Sequence, residues 1–309
     1  MRIFLAGTPA MVVPLFDEVL RSDIEVCGVL TNPPKPRGRS GEPVSSPVSK
    51  WAKENGLTVF EKENLEEVSQ KLGEIDLVFV VAYGRIIPER FLNLPKLGWM
   101  NLHFSTLPEA RGAAPVQRLI ASGKNEIGFT LFKLDSGMDT GPIYFQSKPT
   151  SISGLTTGEV WAKLIAEAKG EIVAKIREIF EGLPAIPQSE LDYSGKIQLA
   201  PKISASEAQI DWTESAEIIC RKILAFNPAP SAWSVFRRER MLIHRAQIYD
   251  NKLVGNIESG QVLTDNNSLV IACGEGALEV IDLQPSGKKV MKAQEWLRGA
   301  KVQSSERFE

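Results

Sequence analysis

Short apolar runs alternate with segments of helical periodicity from residue 1 to about residue 185. The apolar runs predict strands, and the segments between them predict helices. The predicted strands are Ile3–Ala6, Glu25–Thr31, Thr58–Phe60, Leu77–Ala82, Trp99–Leu102 and Phe129–Leu134, and the predicted helices are Val12–Arg21, Pro47–Glu54, Leu65–Leu72 and one that begins at Pro115. The alternation predicts an α/β domain on a parallel sheet, closed by an amphipathic helix from Val160 to Phe180.

The pattern changes after Gly182. Prolines and small polar residues predict a linker over residues 186–203. One helix, Ala216–Phe226, and the short strands Arg240–Tyr249, Leu269–Ala272 and Leu278–Leu283 follow the linker. Short strands separated by turn residues predict a small β-barrel. We therefore expect a first domain at residues 1–185, the linker at 186–203 and a barrel domain at 204–309.

The balance of charge excludes a strongly basic nucleic-acid-binding protein. The chain has 36 Lys and Arg against 38 Asp and Glu, a net charge of −2. Any contact with a polyanion must therefore come from local clusters of cations. The longest apolar run, Leu77–Ala82, is too short to span a membrane. We expect a cytoplasmic protein.

Several common catalytic and metal-binding motifs are missing or wrongly placed. Gly7-Thr8-Pro9 follows the first strand without the later glycines of a dinucleotide-binding loop. With 2 histidines and 3 widely separated cysteines, no metal site is predicted. The triplets Asp135-Ser136-Gly137 and Asp139-Thr140-Gly141 imitate aspartic proteases, but those enzymes need carboxylates that face each other from two lobes.

The stretch from Asn101 to Pro108 carries the most informative chemistry. Asn101 and His103 fall on the same face of a strand, because side chains alternate along it. An amide donor beside an imidazole is suited to stabilising an oxyanion and exchanging a proton. Taken alone, the pair has a simpler explanation, in which His103 caps a loop and Asn101 makes a local turn.

The surrounding motifs favour the catalytic explanation of Asn101 and His103 over the structural one. Asn101-Leu102-His103-Phe104-Ser105-Thr106-Leu107-Pro108, Arg111-Gly112-Ala113-Ala114-Pro115 and Leu134–Gly141 together resemble the folate-dependent formyltransferases. Leu5–Pro9, Val81–Pro88, Ile210–Trp212, Ala225–Pro228 and Leu283–Lys289 extend the match from end to end. The second-domain stretches are similar to the members of this family that act on tRNA.

The resemblance implies a fold, a reaction and a site. The fold is a Rossmann-like formyltransferase sheet with helices on both faces, followed by an OB-like β-barrel that binds tRNA. The reaction moves a formyl group from 10-formyltetrahydrofolate to the α-amine of methionine on initiator methionyl-tRNA. The implied catalytic residues are Asn101, His103 and Asp139. Folate is expected to contact Arg85, Ile86, Ile87, Ser105, Thr106, Leu107, Pro108, Asp135, Ser136 and Gly137, with Leu107-Pro108 a candidate cis peptide.

The tRNA is expected to meet two groups of cations. The expected tRNA contacts are Lys35, Arg37, Arg39, Lys202, Arg237, Arg238, Lys288 and Lys289. The first three lie in the Asn32–Ser46 loop, whose prolines and glycines predict no regular structure. We expect a monomer without metal, whose partners are folate and tRNA.

The catalytic roles follow from the chemistry of amine attack on a formyl carbon. Negative charge develops on the formyl oxygen, to which Asn101 and a protonated His103 can donate. An adjacent Asp139 carboxylate is expected to raise the pKa of His103 and to accept, through a water, the proton lost by the amine.

Two other functions fit parts of this pattern. An enzyme with the same three residues can formylate an amino sugar or a ribonucleotide amine, without needing the basic loop or the barrel. A non-catalytic folate- or RNA-binding protein can keep the fold, but intact Asn101, His103 and Asp139 argue against it.

Overall fold

The computed structural model describes residues 1–36, 41–61, 65–251, 257–265, 267–303 and 306–309. The chain forms two compact units. Unit 1 comprises Met1–Pro115, Ile127–Thr150 and Trp161–Ala200, and unit 2 comprises Val116–Glu126, Ser151–Val160 and Pro201–Glu309. Residues 186–200 of the predicted linker thus cluster with unit 1, and the domain bounds drawn from sequence stay a prediction.

The helices and strands follow in chain order. The strands are β1 (Arg2–Gly7), β2 (Glu25–Leu30), β3 (Lys35–Pro36), β4 (Pro43–Val44), β5 (Val59–Phe60), β6 (Leu77–Val81), β7 (Trp99–His103), β8 (Glu126–Ile127), β9 (Thr130–Lys133), β10 (Ile143–Gln146), β11 (Thr150–Ser151), β12 (Ala232–Phe236), β13 (Glu239–Ile248), β14 (Val262–Asp265), β15 (Ser268–Ala272), β16 (Ala277–Pro285) and β17 (Met291–Lys292). The α-helices are α1 (Val13–Leu20), α2 (Pro47–Glu54), α3 (Ser69–Gly73), α4 (Glu89–Leu92), α5 (Pro115–Ala121), α6 (Thr157–Phe180), α7 (Ala216–Phe226) and α8 (Ala293–Ala300). No helix in these described ranges is long and apolar enough to cross a membrane.

The main sheet of unit 1 has the strand order β10-β9-β7-β6-β1-β2-β5. Strands β5, β2, β1, β6 and β7 are parallel, β9 pairs antiparallel with β7, and β10 pairs antiparallel with β9. The carboxyl ends of the five parallel strands therefore share one edge, where open α/β sheets bind their ligands. This confirms the α/β class expected from the alternation.

The central strands of unit 1 are buried because their apolar side chains fill both faces. Every residue of β6 is buried, as its uninterrupted apolar sequence predicts. Phe4, Phe79 and Trp99 are among the largest residues that this core removes from water. The Trp99 indole N–H donates to the Phe91 carbonyl at 2.8 Å, so its polar atom is also satisfied.

Two sequence expectations for unit 1 need correction. The Asn32–Ser46 loop was expected to lack regular structure, but Lys35 pairs with Val44 and Pro36 with Pro43 in a short antiparallel ribbon. A two-residue pair tolerates proline because few ladder N–H groups are required. The expected helix Leu65–Leu72 is instead a 3₁₀ turn, Leu65–Val68, followed by a short α-helix, Ser69–Gly73, whereas the expected helix Val12–Arg21 is present as α1.

Unit 2 is built on one curled antiparallel sheet with the order β12-β13-β16-β15-β14, and β17 also pairs with β16. The helix α7 packs against β13. Its bounds agree with the sequence prediction because Ser215 caps it by accepting a hydrogen bond from the Ile218 N–H. The small β-barrel expected from the short strands is present as this curled antiparallel sheet.

Residues 306–309 join the two outer strands of this sheet. Val235 and Glu309 exchange backbone hydrogen bonds of 3.0 and 2.8 Å on the free side of β12. On the free side of β14, the Val262 N–H donates to the Glu306 carbonyl at 2.9 Å. Phe308 is buried and stacks on Phe236 at 4.6 Å between ring centroids. The segment thereby closes the sheet of unit 2 on itself.

Candidate active site

The loops that follow three parallel strands of unit 1 are tied together at the carboxyl edge of the sheet. The Thr8 hydroxyl, just after β1, donates to the Tyr83 carbonyl at 3.0 Å. The Asn32 amide, just after β2, donates to Thr8 Oγ1 and to the same carbonyl, both at 2.9 Å. Tyr83 itself follows β6. These hydrogen bonds therefore hold the loops after β1, β2 and β6 together beside the end of β7.

Asn101 and His103 lie at the end of β7, on the same face of the strand. Asn101 lies between Val80 of β6 and Phe132 of β9 and is half-buried. His103 is buried, with 6% of its surface exposed, and its ring meets Phe132 edge-on. The His103 Nε2–H donates to the Ala110 carbonyl at 3.0 Å. The ring is therefore fixed with Nδ1 as its free nitrogen.

Asp139 reaches the His103 ring from the loop between β9 and β10. Its carboxylate Oδ2 lies 3.7 Å from His103 Nδ1 and accepts a hydrogen bond from the Gly112 N–H at 2.8 Å. The Asp139 backbone has φ of +53°, a conformation that a non-glycine residue adopts only when its surroundings hold it. The structure thus brings His103 and Asp139 together, on the same edge as Asn101.

The protonation of His103 differs from the sequence expectation. Burial lowers the pKa of His103 below its usual value, and it outweighs Asp139 and the Ala110 carbonyl, which both favour the charged imidazole. Since Nε2 carries the proton given to Ala110, the neutral ring keeps a lone pair on Nδ1, facing Asp139. The geometry therefore provides a proton acceptor at Nδ1, 3.7 Å from the Asp139 carboxylate.

We expect this pKa to be measurable directly, because the chain has only 2 histidines. In an NMR titration, the His103 imidazole should titrate below the ordinary value of about 6.5. Asp139→Asn should lower the His103 pKa further, since it removes the carboxylate that favours the charged ring. Because the unfolded chain binds this proton more readily, the same shift should reduce stability as the pH falls below about 6.5.

The His244→Gln variant assigns the signals for that titration. His244 lies in unit 2 and contacts Gln284 Oε1 at 3.1 Å. The resonance that remains belongs to His103. A His103 pKa above the ordinary value would mean that the effect of the Asp139 carboxylate on this pKa is larger than the effect of burial.

The predicted folate loop Ser105–Pro108 is held in place by hydrogen bonds and by burial of its side chains. The Leu107-Pro108 peptide is cis, as the sequence suggested. The Leu107 N–H donates to Thr130 Oγ1 at 3.0 Å, and the Ser105 hydroxyl donates to the Glu109 carbonyl at 2.6 Å. Ser105, Leu107 and Pro108 are buried, and Thr106 is half-buried. Three of these four side chains therefore contribute to the shape of the loop.

The predicted folate residues after β6 divide between surface and core. Ile86 is 90% exposed, Ile87 packs into the core, and Arg85 is half-buried. Together with Tyr83 they line a cavity of about 110 Å³. An exposed isoleucine beside a cavity is available for an apolar contact with a ligand.

The remaining predicted folate residues lie on the exposed loop that leads to Asp139. Asp135 accepts hydrogen bonds from the Gly137 N–H at 3.1 Å and from the Thr140 hydroxyl at 2.8 Å. Asp135, Ser136 and Gly137 are exposed. Sequence reasoning missed Met138, which is 61% exposed beside Asp139 and offers apolar surface to the site.

The predicted tRNA-contacting cations within the described residues are all at the surface. They are Lys35, Lys202, Arg237, Arg238, Lys288 and Lys289. Arg237 is held by Glu306, with Nε at 2.5 Å from Oε1 and Nη2 at 2.7 Å from Oε2. Its charge is therefore neutralised within unit 2. Arg37 and Arg39 lie outside the described residues.

Clusters of possible metal ligands are absent from the part of the chain that is described. No group of three or more His, Cys, Asp or Glu side chains is arranged there to hold an ion. Cys220 is a half-buried thiol whose pKa burial raises to about 11.

Known proteins share the fold of this chain. WlaRD, a sugar 3N-formyl transferase solved in the presence of dTDP and 5-N-formyl-THF, superposes with a TM-score of 0.65 at 18% identity, covering 94% of this chain and 99% of WlaRD. Methionyl-tRNA formyltransferase from Clostridium thermocellum gives a TM-score of 0.59 at 18% identity, covering 84% of this chain and 98% of that one. At these identities the structures establish the fold alone.

Sequence comparison goes further than fold. Residues 1–176 match the formyl transferase family and residues 202–301 match the formyl transferase C-terminal domain. The methionyl-tRNA formyltransferase of Streptomyces griseus subsp. griseus is 37% identical over 317 aligned positions, which cover 99% of both chains. The chain therefore belongs to the methionyl-tRNA formyltransferase family.

Proposed function

We propose that the protein transfers a formyl group from 10-formyltetrahydrofolate to the α-amino group of methionine on initiator methionyl-tRNA. The observation that carries this proposal is the end-to-end match at 37% identity to a methionyl-tRNA formyltransferase. The geometry of Asn101, His103 and Asp139 supports it, because these residues supply the donor and the proton acceptor that the reaction needs.

The catalytic residues act on the attacking amine and on the formyl oxygen. A bond forms between the amine nitrogen and the formyl carbon, and the bond from that carbon to the folate nitrogen breaks. The Asn101 amide donates to the formyl oxygen as negative charge develops there. His103 Nδ1 accepts the proton lost by the amine, and the Asp139 carboxylate stabilises the resulting imidazolium. The proton then passes to the folate nitrogen that leaves.

The two substrates are assigned to different surfaces. Folate occupies the carboxyl edge of the unit 1 sheet, contacting the loops around Arg85–Ile87, Ser105–Pro108 and Asp135–Gly137. The exposed cations of unit 2 and the Asn32–Ser46 loop contact tRNA phosphates. Arg238 and Lys289 are better placed for this than Arg237, whose charge Glu306 neutralises. The protein acts as a monomer, and the proposal includes a cytoplasmic location, because charged tRNA is used there.

A formylation assay with matched acceptors tests the proposal. Charged initiator methionine tRNA, charged elongator methionine tRNA and a UDP-amino sugar are each supplied with 10-formyltetrahydrofolate. We expect formyl transfer to the initiator tRNA, with kcat/KM at least about 100-fold above the other two acceptors. Preferential formylation of the sugar nucleotide would establish the alternative function, and single-turnover failure on every acceptor would indicate a binding protein.

A further inference from the structure

Gln188 lies in the segment that was expected to be a linker, yet its side chain is buried beside the Asp139 loop, with 8% of the residue exposed. We infer that Gln188 is a positioning residue for Asp139: its amide holds both the loop that carries the Asp139 carboxylate and, through Arg111, the loop whose Gly112 N–H orients that carboxylate. This inference rests on the proposed function, since Asp139 is assigned its role there.

The Gln188 amide uses its whole hydrogen-bonding capacity between the two loops. Its Nε2 donates to the Asp139 and Gly141 carbonyls, both at 2.9 Å. Its Oε1 accepts from Arg111 Nη2 at 2.6 Å and from Arg111 Nε at 3.2 Å. The two N–H groups of the Gln188 amide donate to two carbonyls, and its oxygen accepts from two nitrogens of the Arg111 guanidinium. These partners fix the orientation of the amide.

The backbone around Gln188 is anchored to the same part of unit 1. Ile186 and Ile143 exchange backbone hydrogen bonds of 2.8 Å in both directions, which attaches the segment to the start of β10. Gln188 opens a 3₁₀ turn after Pro187. Farther along, the Ala200 N–H donates to the Arg111 carbonyl at 2.6 Å. The Gln188 side chain therefore projects from a fixed backbone, which is what a positioning residue requires.

The Arg111 loop completes the link to the carboxylate. Gly112 has φ of +129°, and a Cβ added there would lie 2.6 Å from the Ala200 carbonyl oxygen. The backbone at Gly112 is thus confined, and its N–H points at Asp139 Oδ2 at 2.8 Å. Gln188 binds both Arg111, the residue before Gly112, and the backbone of Asp139. One side-chain amide therefore fixes the distance between the Asp139 carboxylate and the Gly112 N–H that donates to it.

Gln188 also helps to hold the left-handed backbone of Asp139. A non-glycine residue at φ of +53° persists only when neighbouring contacts determine it. The Gln188 amide bonds the carbonyl of Asp139 itself and that of Gly141 two residues later. Without these bonds the loop is free to relax, and the carboxylate moves away from His103 Nδ1.

Gln188→Met tests the inference, because methionine fills a similar volume without either set of hydrogen bonds. We expect kcat to fall at least about tenfold, with KM for folate and for tRNA within about twofold of the parent values. We also expect the NMR pKa of His103 to move down, in the direction produced by Asp139→Asn. That second measurement needs no substrate, so it is independent of the identity of the acceptor.

Two further variants separate positioning from general stability. Gln117→Met makes the same change at a comparably buried glutamine of unit 2, and it should leave kcat and the His103 pKa unchanged. Arg111→Lys keeps the charge but loses the two-pronged contact, so it should reproduce both effects of Gln188→Met at smaller size. If Gln188→Met fails to fold, Arg111→Lys carries the test alone.

The outcomes distinguish the inference from the proposed function. A lower melting temperature with unchanged kcat and unchanged His103 pKa would reduce Gln188 to a structural residue and overturn the inference. A shifted His103 pKa in a protein that formylates no tRNA would preserve the inference and overturn the function.

Discussion

Asn101→Ala, His103→Ala and Asp139→Asn are each expected to lower kcat by at least about 100-fold. Each removes a group that acts mainly as the amine attacks: the donor to the formyl oxygen, the proton acceptor, or the charge that stabilises the imidazolium. One donor placed at a developing oxyanion contributes roughly 3–4 kcal/mol to the transition state in comparable acyl transfers. Single-turnover formylation of charged initiator tRNA measures the effect on the chemical step itself.

Folding should change little in Asn101→Ala and Asp139→Asn, whose side chains are half-buried at the carboxyl edge of the sheet, and folate binding should change little in all three variants. His244→Gln and Asp192→Asn are matched controls, one for the imidazole and one for an exposed carboxylate of unit 1. Both controls should retain parental kcat. Near-parental turnover by two of the three site variants would remove the assignment of the catalytic residues.

Gly141→Ala is expected to destabilise the protein by about 3 kcal/mol or more and to lower formylation at the same time. A Cβ on Gly141 would lie 1.8 Å from the Lys133 carbonyl oxygen, and backbone cannot yield as a flexible side chain does. The backbone at Gly141 must therefore move to accept the Cβ. Because the Gly141 carbonyl also accepts a hydrogen bond from Gln188, this movement displaces the loop that carries Asp139. Denaturant unfolding gives the change in stability, and kcat reports the displaced carboxylate.

Gly170→Ala is the matched control for this substitution. Gly170 lies within α6, and a Cβ there would meet no atom within 4 Å. Replacing glycine by alanine inside a helix stabilises it by roughly 0.5–1 kcal/mol, so this variant should be slightly more stable than the parent and equally active. A Gly141→Ala protein as stable as Gly170→Ala would contradict the close approach at Lys133.

The parts of the fold that sequence could predict are those whose cause is local. The strand β6 is apolar at every position, and α2 and α7 have a serine cap at their starts and helical periodicity along their length. Propensity, capping and burial agree in these segments, so their bounds follow from the residues themselves. Asn101 and His103 share a face for the same reason, since alternation along a strand is a local property.

What sequence could not predict depends on contacts between distant residues. Gln188 gives no signal, because its importance comes from the carbonyls of Asp139 and Gly141 and from Arg111. Burial, which lowers the pKa of His103 overall, is not visible in the sequence, whereas the Asp139 carboxylate, which raises this pKa as expected, is visible as a motif. Gly112 belonged to a recognised motif, yet its N–H contact with Asp139 appears only once the loops are folded.

The closure of the unit 2 sheet by residues 306–309 has a consequence for its behaviour before folding is complete. An unpaired outer strand presents a row of N–H and carbonyl groups that can template pairing with another chain. Here one segment covers such groups on both β12 and β14. Its partners Val235 and Val262 lie far earlier in sequence, so this contact closes a long loop, and such contacts form slowly. Until it forms, the groups that it covers on the two outer strands are open to self-association, and the stacking of Phe308 on Phe236 helps to hold the segment in place.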